Sequence, residues 1–478
     1  MDDAAVDGSW RWFLPVLLAS TAALKLFFAW RFGGFMTGDD LEVVETAAKY
    51  AVGLPYQPWG IRCLFHPLAL IWPAMKVADL LGASDPDSLS WAAAIPAALF
   101  STAAIALVYA LGRRWNWSPA AAAVAAFLYA FHWLPLAFGS TPYPRPISAA
   151  MLVAAFLLVS HQRSGWRTWV AGILAGFAFA VRWSEGVVLL PLVGWTAWRF
   201  RDPRRVATLA GGFIVGALLS AGLFDWATYG SPFQSPRAFA QTMYLEIPES
   251  RLEQEAPFYH YGWTILRWAG PVQVLLLCLS WKDRRSWQPI LVFLSIVTLM
   301  SLFAHKEWRY LQSAIPFLAL AAALGWERLR ISGRPWVTAA ALLLASGWGV
   351  ERAVSRLSQK SQPAIAAARF IRKLQPAPRV LALEQFWAYG DRLYLGGSVE
   401  IRDIVWQRPL TRLALREAGT GADVVGVYAD HLGDSGKEEL RALGFRELAR
   451  FRKDAGRECV VYARPALRPA EGPSADPK

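Results

Sequence analysis

Charge is scarce in this sequence: only 18% of its 478 residues are Asp, Glu, Lys or Arg, against about 25% in an average soluble domain. Cysteine is scarcer still. Cys63, Cys278 and Cys459 stand far apart with no paired spacing, so neither a disulfide framework nor a cysteine metal site is expected. No Gly-x-Gly-x-x-Gly follows a strand-like run and opens a helix, which excludes a Rossmann nucleotide site. No internal repeat of the kind found in many transporters is present. The formal charge of +13 does not come from a basic run interleaved with aromatics on a soluble face, so nucleic-acid binding is excluded. The start, Met1 to Arg11, is acidic. It lacks the basic segment and small-residue cleavage site of a signal peptide, so the apolar run after it is kept as a first membrane helix.

What the chain has in abundance is apolar sequence. Hydrophobic residues make up 55%, and there are 25 Trp. A span needs about 20 mostly apolar residues. Such runs lie at 12–30, 90–112, 118–138, 145–161, 167–182, 185–199, 206–226, 264–282, 288–304, 309–326 and 334–350. One further run, 63–82, contains His66, Pro67, Pro73, Lys76 and Asp79. It is amphipathic and interrupted, as expected of a helix lying in the interface.

Basic residues decide whether that run crosses. If it does not and the N-terminus is cytoplasmic, the cytoplasmic loops hold Arg113-Arg114, Arg163 with Arg167, Arg199-Arg201-Arg204-Arg205, Lys282-Arg284-Arg285 and Arg328-Arg330-Arg334. If it crosses, every later loop inverts and the positive-inside rule fails. Eleven spans follow. The first loop, 31–89, the loop 227–263 and the C-terminal region then face away from the cytoplasm.

After Val350 the composition changes. Short apolar runs at 379–383, 423–428 and 459–462 read as strands, with a helix-like stretch at 437–444 between them. The expected architecture is an all-α polytopic membrane protein with a small C-terminal α/β extramembrane domain. Residues 1–355 form the membrane domain, 356–465 the α/β domain, and 466–478, rich in Pro and Ala, a disordered tail.

Two clusters carry chemistry. Asp39, Asp40, Glu42 and Glu45 follow the first span. Acidic residues here cap the next helix, or one serves as a general base, because a carboxylate near apolar surface binds protons more tightly. The second cluster is His305-Lys306-Glu307-Trp308-Arg309 between two spans on the same side. Ionisable groups at a membrane boundary are costly and mark function. Their plain structural reading is a solvated loop with snorkelling ends. Two cations beside a His suit a phosphate, Arg as a bidentate fork and Lys as a point charge. Weaker candidates share that side: Arg62, His66, Arg145, Arg182, Glu185, Asp225 and Tyr229, with Arg237 and Tyr259-His260-Tyr261. Taken singly, each reads first as an interface anchor. His132, inside a span without a partner at metal spacing, reads as a packed polar residue.

The stretch HKEWRYLQSAIP at His305 to Pro316 resembles the H-K-E-x-R-[F/Y]-L motif of the dolichyl- and polyprenyl-phosphate-mannose-dependent α-mannosyltransferases. Those enzymes build GPI anchors and N-glycan precursors and have bacterial relatives. Three further landmarks agree in order: the acidic pair Asp39-Asp40 (Asp-Glu in the family), Ile61-Arg62, and Asp225 with Tyr229-Gly230. Pro58-Trp59-Gly60 stands where the family has a Trp-Glu pair. The resemblance covers roughly 10–350. It implies a GT-C type membrane glycosyltransferase with its catalytic carboxylate in the first non-cytoplasmic loop. It further implies an inverting displacement. Asp39 or Asp40 takes the acceptor's proton, and His305, Lys306, Arg309 and Arg62 hold the donor phosphate. Glu307, Arg145, Arg182, Glu185, Asp225, Tyr229 and His66 are candidate substrate contacts. The implied partners are a polyprenyl-phosphate sugar, a glycan or glycolipid acceptor and membrane lipids, with no cofactor or metal. The implied location is a bacterial inner membrane with the active site facing the periplasm. A secondary transporter or a non-catalytic lipid-glycan binding protein is the rival reading. The gathering of charge at one face, rather than at the midplane, speaks against the transporter.

Overall fold

Backbone polar groups among apolar neighbours must be satisfied locally, and a helix does so; each of the eleven apolar runs is accordingly helical in the structure. A computed structural model describes residues 3–161, 165–242, 256–303, 305–331, 335–360, 362–404, 409–452 and 457–469. Arg163 and Arg334, two of the expected cytoplasmic charges, lie outside the described residues.

Along the chain, α1 (Asp3–Arg31) is followed by α2 (Gly38–Val52), α3 (Trp72–Leu80) and α4 (Pro86–Arg114). The run at 118–138 divides into α5 (Pro119–Ala130) and α6 (Trp133–Phe138). Ser118 opens α5 by accepting the Ala121 N–H (3.1 Å), with Pro119 at the first turn. The break falls at His132, whose Nδ1 accepts the Leu134 N–H (3.2 Å) and caps α6. Next come α7 (Arg145–Val159), α8 (Gly165–Val181), α9 (Leu189–Phe200), α10 (Pro203–Ala217) and α11 (Leu223–Tyr229). They are followed by α12 (Gln234–Gln241), α13 (His260–Trp263), α14 (Ile265–Trp268), α15 (Pro271–Ser280), α16 (Trp287–Ser301), α17 (Ile315–Ile331) and α18 (Pro335–Ser358).

Among the described residues, four helical stretches are long and apolar enough to cross a membrane: Trp12–Arg31, Pro86–Arg114, Pro203–Tyr229 and one that begins at Trp336 in α18. The run 63–82 is not among them. It forms a π-helical turn, His66–Ile71, and then α3. Exposed tryptophans gather toward helix ends, among them Trp30, Trp91, Trp166, Trp198, Trp226, Trp287 and Trp336, as residues of an interfacial belt do. Helices α8 and α10 approach through Gly172-x-x-x-Gly176 and Gly212-x-x-x-Gly216. A Cβ at Gly172 would run into the Leu209 carbonyl, and one at Gly212 into that of Trp169. Small residues at this spacing let membrane helices pack backbone to backbone.

The C-terminal domain contains α19 (Gln362–Ile371), α20 (Asp391–Leu395), α21 (Arg412–Gly419) and α22 (Ala429–Ala442). Its five-stranded sheet comprises β2 (Val380–Glu384), β3 (Glu400–Ile404), β4 (Val424–Tyr428), β5 (Arg446–Phe451) and β6 (Cys459–Ala463), in the order β3-β2-β4-β6-β5. Strand β2 runs parallel to β3 and β4, while β6 is antiparallel to β4 and β5. Val425, Val427, Leu415, Leu440 and Val460 fill the core on one face. A short pair, β1 (Leu374–Gln375) with β7 (Arg468–Pro469), carries the ordered chain past the boundary expected at 465; residues 470–478 of the expected tail lie outside the described residues.

The chain forms two compact units, and they divide differently from the expected boundary at 355. Residues 1–29, 59–74 and 93–354 make one. The other joins 30–58 and 75–92 to 355–478, so most of the first loop belongs with the C-terminal domain rather than with the membrane helices.

Candidate active site

In the helical unit, Arg145, Arg182 and Glu185 come together with the motif after α16. A 3-10 turn, Trp183–Val188, links α8 to α9 and turns Glu185 inward; a second, Trp308–Ala314, precedes α17. Arg145 opens α7. Its Nη1 meets Glu185 Oε1 at 2.7 Å, with the two side chains 1% and 0% exposed. Arg145 Nη2 donates to Ser184 Oγ (2.8 Å), and Ser313 Oγ donates to Glu185 Oε2. The Arg145 guanidinium lies over the Tyr310 ring at 4.4 Å. Arg309 and Arg182 also act electrostatically on Tyr310. Three arginines therefore converge on one tyrosine.

Arg309 pairs with Glu307 and lies 5.4 Å from the centroid of the Tyr143 ring. His305 Nε2 is 3.6 Å from Glu307 Oε1. The Glu307 carbonyl accepts the Tyr261 hydroxyl (3.1 Å), and Trp308 Nε1 donates to Thr264 (3.3 Å), so the motif is tied to α13 and its neighbour. Lys306 is buried. Burial, and then the Lys306 charge, hold His260 below the usual histidine range.

Arg62, His66, Asp225 and Tyr229 form an adjoining strut. The Tyr229 hydroxyl donates to the Arg62 carbonyl (2.9 Å), and Trp183 Nε1 donates to that of Ile61 (3.1 Å). The Arg62 guanidinium lies 5.7 Å from the Trp59 ring centroid. Buried His66 feels the charge of Arg182. Asp225 Oδ2 accepts both the N–H (2.8 Å) and the hydroxyl (2.6 Å) of Ser235, pinning the start of α12. Arg145, Glu185 and Asp225 are thus engaged with protein groups. Arg182, His305 and Arg309 keep partial exposure.

In the other unit, Thr37 precedes α2 and the two aspartates differ. Asp40 is fully buried. It accepts from Met36 N (3.0 Å) and Thr37 Oγ1 (3.0 Å), and the Lys360 ammonium acts on it. It serves as the brace that closes the turn into the helix. Asp39 is only half-buried, which suits a group that must reach a substrate proton. Glu45, one turn and a half further on, is fully buried and accepts the Leu393 N–H (2.8 Å). Burial, and then the charge of Asp391, raise its pKa well above the ordinary glutamate range. Among the described residues no three His, Cys, Asp or Glu side chains gather as a metal site.

The sequence singled out neither Ser184, Ser313 and Tyr143, which hold the arginines, nor Lys360. Hydroxyls and a lone lysine carry no periodic or spacing signal. Tyr310 stood inside the motif and could have been found there.

Comparison with known proteins bears on the family and the fold. The sequence profile of the family described as Alg9-like mannosyltransferase matches residues 41–382. A curated relative, GPI mannosyltransferase 3 of Yarrowia lipolytica, is 24% identical over 371 residues, covering 72% of this chain and 70% of its own. ArnT from Cupriavidus metallidurans, solved bound to undecaprenyl phosphate, superposes with a TM-score of 0.62 at 15% identity, covering 93% of this chain and 97% of its own. The Archaeoglobus fulgidus oligosaccharyltransferase superposes with a TM-score of 0.53 at 12% identity, covering 87% and 70%. That organism's AglB, in complex with an inhibitory peptide and a dolichol-phosphate, gives 0.51 at 14% identity, covering 87% and 69%.

Proposed function

The chain belongs to the Alg9-like mannosyltransferase family, and from that premise we propose that it transfers mannose, with inversion, from a polyprenyl-phosphate carrier to a hydroxyl of a glycan or glycolipid acceptor. Membership makes it an enzyme, a mannosyltransferase of the GT-C type and an integral membrane protein. The donor, the acceptor and the face of the membrane belong to the proposal.

Asp39 accepts the proton of the acceptor hydroxyl. The freed oxygen pair attacks the anomeric carbon, the bond from that carbon to the phosphate oxygen breaks, and the lipid phosphate leaves with the electron pair. Charge developing on the leaving phosphate is stabilised by fixed cations, here Arg309, Lys306 and Arg182, with His305 and Arg62 beside them. The observation that carries this reading is the convergence of Arg145, Arg182 and Arg309 on Tyr310 beside the His305–Arg309 motif. Arg145 is held by Glu185, so its role is to set the field and to position Tyr310 rather than to grip a ligand. ArnT was solved with undecaprenyl phosphate and AglB with a dolichol-phosphate, which supports a polyisoprenoid phosphate for this chain.

The eleven apolar helical runs are read as spans, tilted or broken where they are short. The active site then faces the periplasm of a bacterial inner membrane. Residues 1–355 form the membrane glycosyltransferase domain, whose first loop, 31–89, supplies the catalytic carboxylate. The purified protein, given a panel of radiolabelled polyprenyl-phosphate sugars and lipid-extracted acceptors, is expected to transfer mannose. Transfer of another sugar alone would overturn the choice of donor, and transport of the lipid without transfer would favour the rival class.

A further inference from the structure

Most of the first loop and the C-terminal domain form one unit, and several contacts between them fall on the turn into α2 and on that helix. Gly38 packs on Trp387, where a Cβ would sit 3.8 Å from the ring. Phe35 meets Tyr394 edge-on at 6.4 Å between centroids. At the middle of α2, Glu45 Oε1 accepts the Leu393 N–H at 2.8 Å. At its start, buried Lys360 acts on Asp40.

A helix can be glued to a domain by apolar side chains alone. Burying ionisable groups for that purpose costs stability that hydrophobic residues of the same size would not. Here Glu45 is 0% exposed and its Oε2 has no hydrogen-bond partner, while the Asp391 carboxylate lies close enough to act on it. Burial, and then the neighbouring Asp391 carboxylate, make Glu45 hold its proton more tightly than a free glutamate does. What the polar arrangement adds over grease is direction: a hydrogen bond to a fixed backbone N–H sets the rotation and height of α2. The residue one place before Asp40 on that helix is the proposed base.

We propose that Glu45 and Lys360 are positioning residues for sugar transfer, through which the C-terminal domain fixes α2 and thereby the direction of Asp39. This rests on the reading of Asp39 as the base. Glu45 acts in its protonated form, as a hydrogen-bonded strut, so glutamine replaces it and alanine does not. Lys360 acts through Asp40 by its charge, so arginine replaces it and methionine does not.

The test measures donor affinity and single-turnover transfer in the full-length protein, with a radiolabelled polyprenyl-phosphate mannose. The variants are Glu45→Ala, Glu45→Gln, Lys360→Met, Lys360→Arg and Asp39→Asn. Misplacement of a reacting group by about 1 Å costs on the order of 100-fold. Glu45→Ala and Lys360→Met should therefore slow transfer by about 10- to 100-fold while donor affinity stays within about twofold of wild type. Glu45→Gln and Lys360→Arg should regain most of the rate. Wild-type rates in Glu45→Ala and Lys360→Met overturn the proposal. So does a parallel loss of donor affinity and rate that the conservative variants fail to restore, and so does Glu45→Gln as slow as Glu45→Ala, which would make Glu45 an ionised participant. Asp39→Asn separates the two levels. If it transfers at the wild-type rate, the base assignment fails; if it is dead while the other variants are unaffected, only the positioning role fails.

Discussion

Removing the Glu185 carboxylate strands the Arg145 guanidinium where water does not reach it. The two side chains are 1% and 0% exposed and pair at 2.7 Å. Arg145 then keeps a hydrogen bond to Ser184 Oγ at 2.8 Å, a long one of 3.3 Å to the Tyr310 carbonyl, and its place over the Tyr310 ring, none of which carries a countercharge. Ser313 loses its carboxylate acceptor as well. Breaking a buried pair from one side costs about 3–5 kcal/mol, most of it the penalty of the abandoned charge. At about 1.4 kcal/mol per tenfold, that is roughly a 140- to 4,000-fold fall in the folded-to-unfolded ratio. The double variant Arg145→Met/Glu185→Leu removes both charges and keeps the volume, so it should recover most of the stability. Its transfer rate should stay low, because Tyr310 and the leaving phosphate lose a nearby cation. Unfolding in mixed micelles, followed by tryptophan fluorescence, gives the stabilities. Glu185→Ala within about 1 kcal/mol of wild type, or a double variant no more stable than the single one, would refute the account of a charge pair locked by burial.

Arg309→Ala should weaken donor binding by about 10- to 150-fold, the worth of a charge-assisted contact of about 1.5–3 kcal/mol, and Arg309→Lys should recover only part because the fork is lost; equilibrium binding of the lipid donor checks both. In a Cys278→Ser background, which removes the exposed native thiol, cysteines at exposed Tyr50 and Asp434 should label with an impermeant reagent from the periplasm, and one at Arg284 only after the membrane is opened; the reverse pattern would invert the topology. The pKa of Glu45 is raised in the fold, so the folded state binds the proton more tightly than the unfolded one. Stability contributed by that proton is full below the unfolded value of about 4.3 and is lost as pH rises through the folded value. Glu45→Gln should match wild type at pH 4 and exceed it at pH 8 in thermal unfolding, with Asp391 and Arg392 left in place; an unchanged pH profile would show that Glu45 is not protonated.

The membrane helices were legible because the bilayer leaves the backbone few choices, so long apolar runs could be little else. Their interruptions were not: the break at His132 depends on a side chain turning back to cap the next helix. In the C-terminal domain, the three strands read from the sequence are the inner ones, β2, β4 and β6. The two that were missed, Glu400–Ile404 and Arg446–Phe451, are the edges of the sheet. Edge strands carry charge that blocks further pairing, and that same charge hides their period. The His305–Arg309 motif announced itself by ionisable density. The grouping of Arg145 and Arg182 with it was suggested only by shared sidedness. That Asp39-Asp40 belongs to the unit of the C-terminal domain is a tertiary fact, and no local pattern encodes it.

The central claim is that Asp39 removes the acceptor's proton while the cations after α16 hold the donor. The most direct measurement is the single-turnover rate of mannose transfer, with donor affinity measured alongside, in Asp39→Asn and Asp40→Asn. A lost general base costs on the order of 100- to 10,000-fold. The account predicts such a loss for Asp39→Asn with donor affinity unchanged, and a smaller loss, with lowered stability, for Asp40→Asn. Wild-type transfer by Asp39→Asn would contradict it.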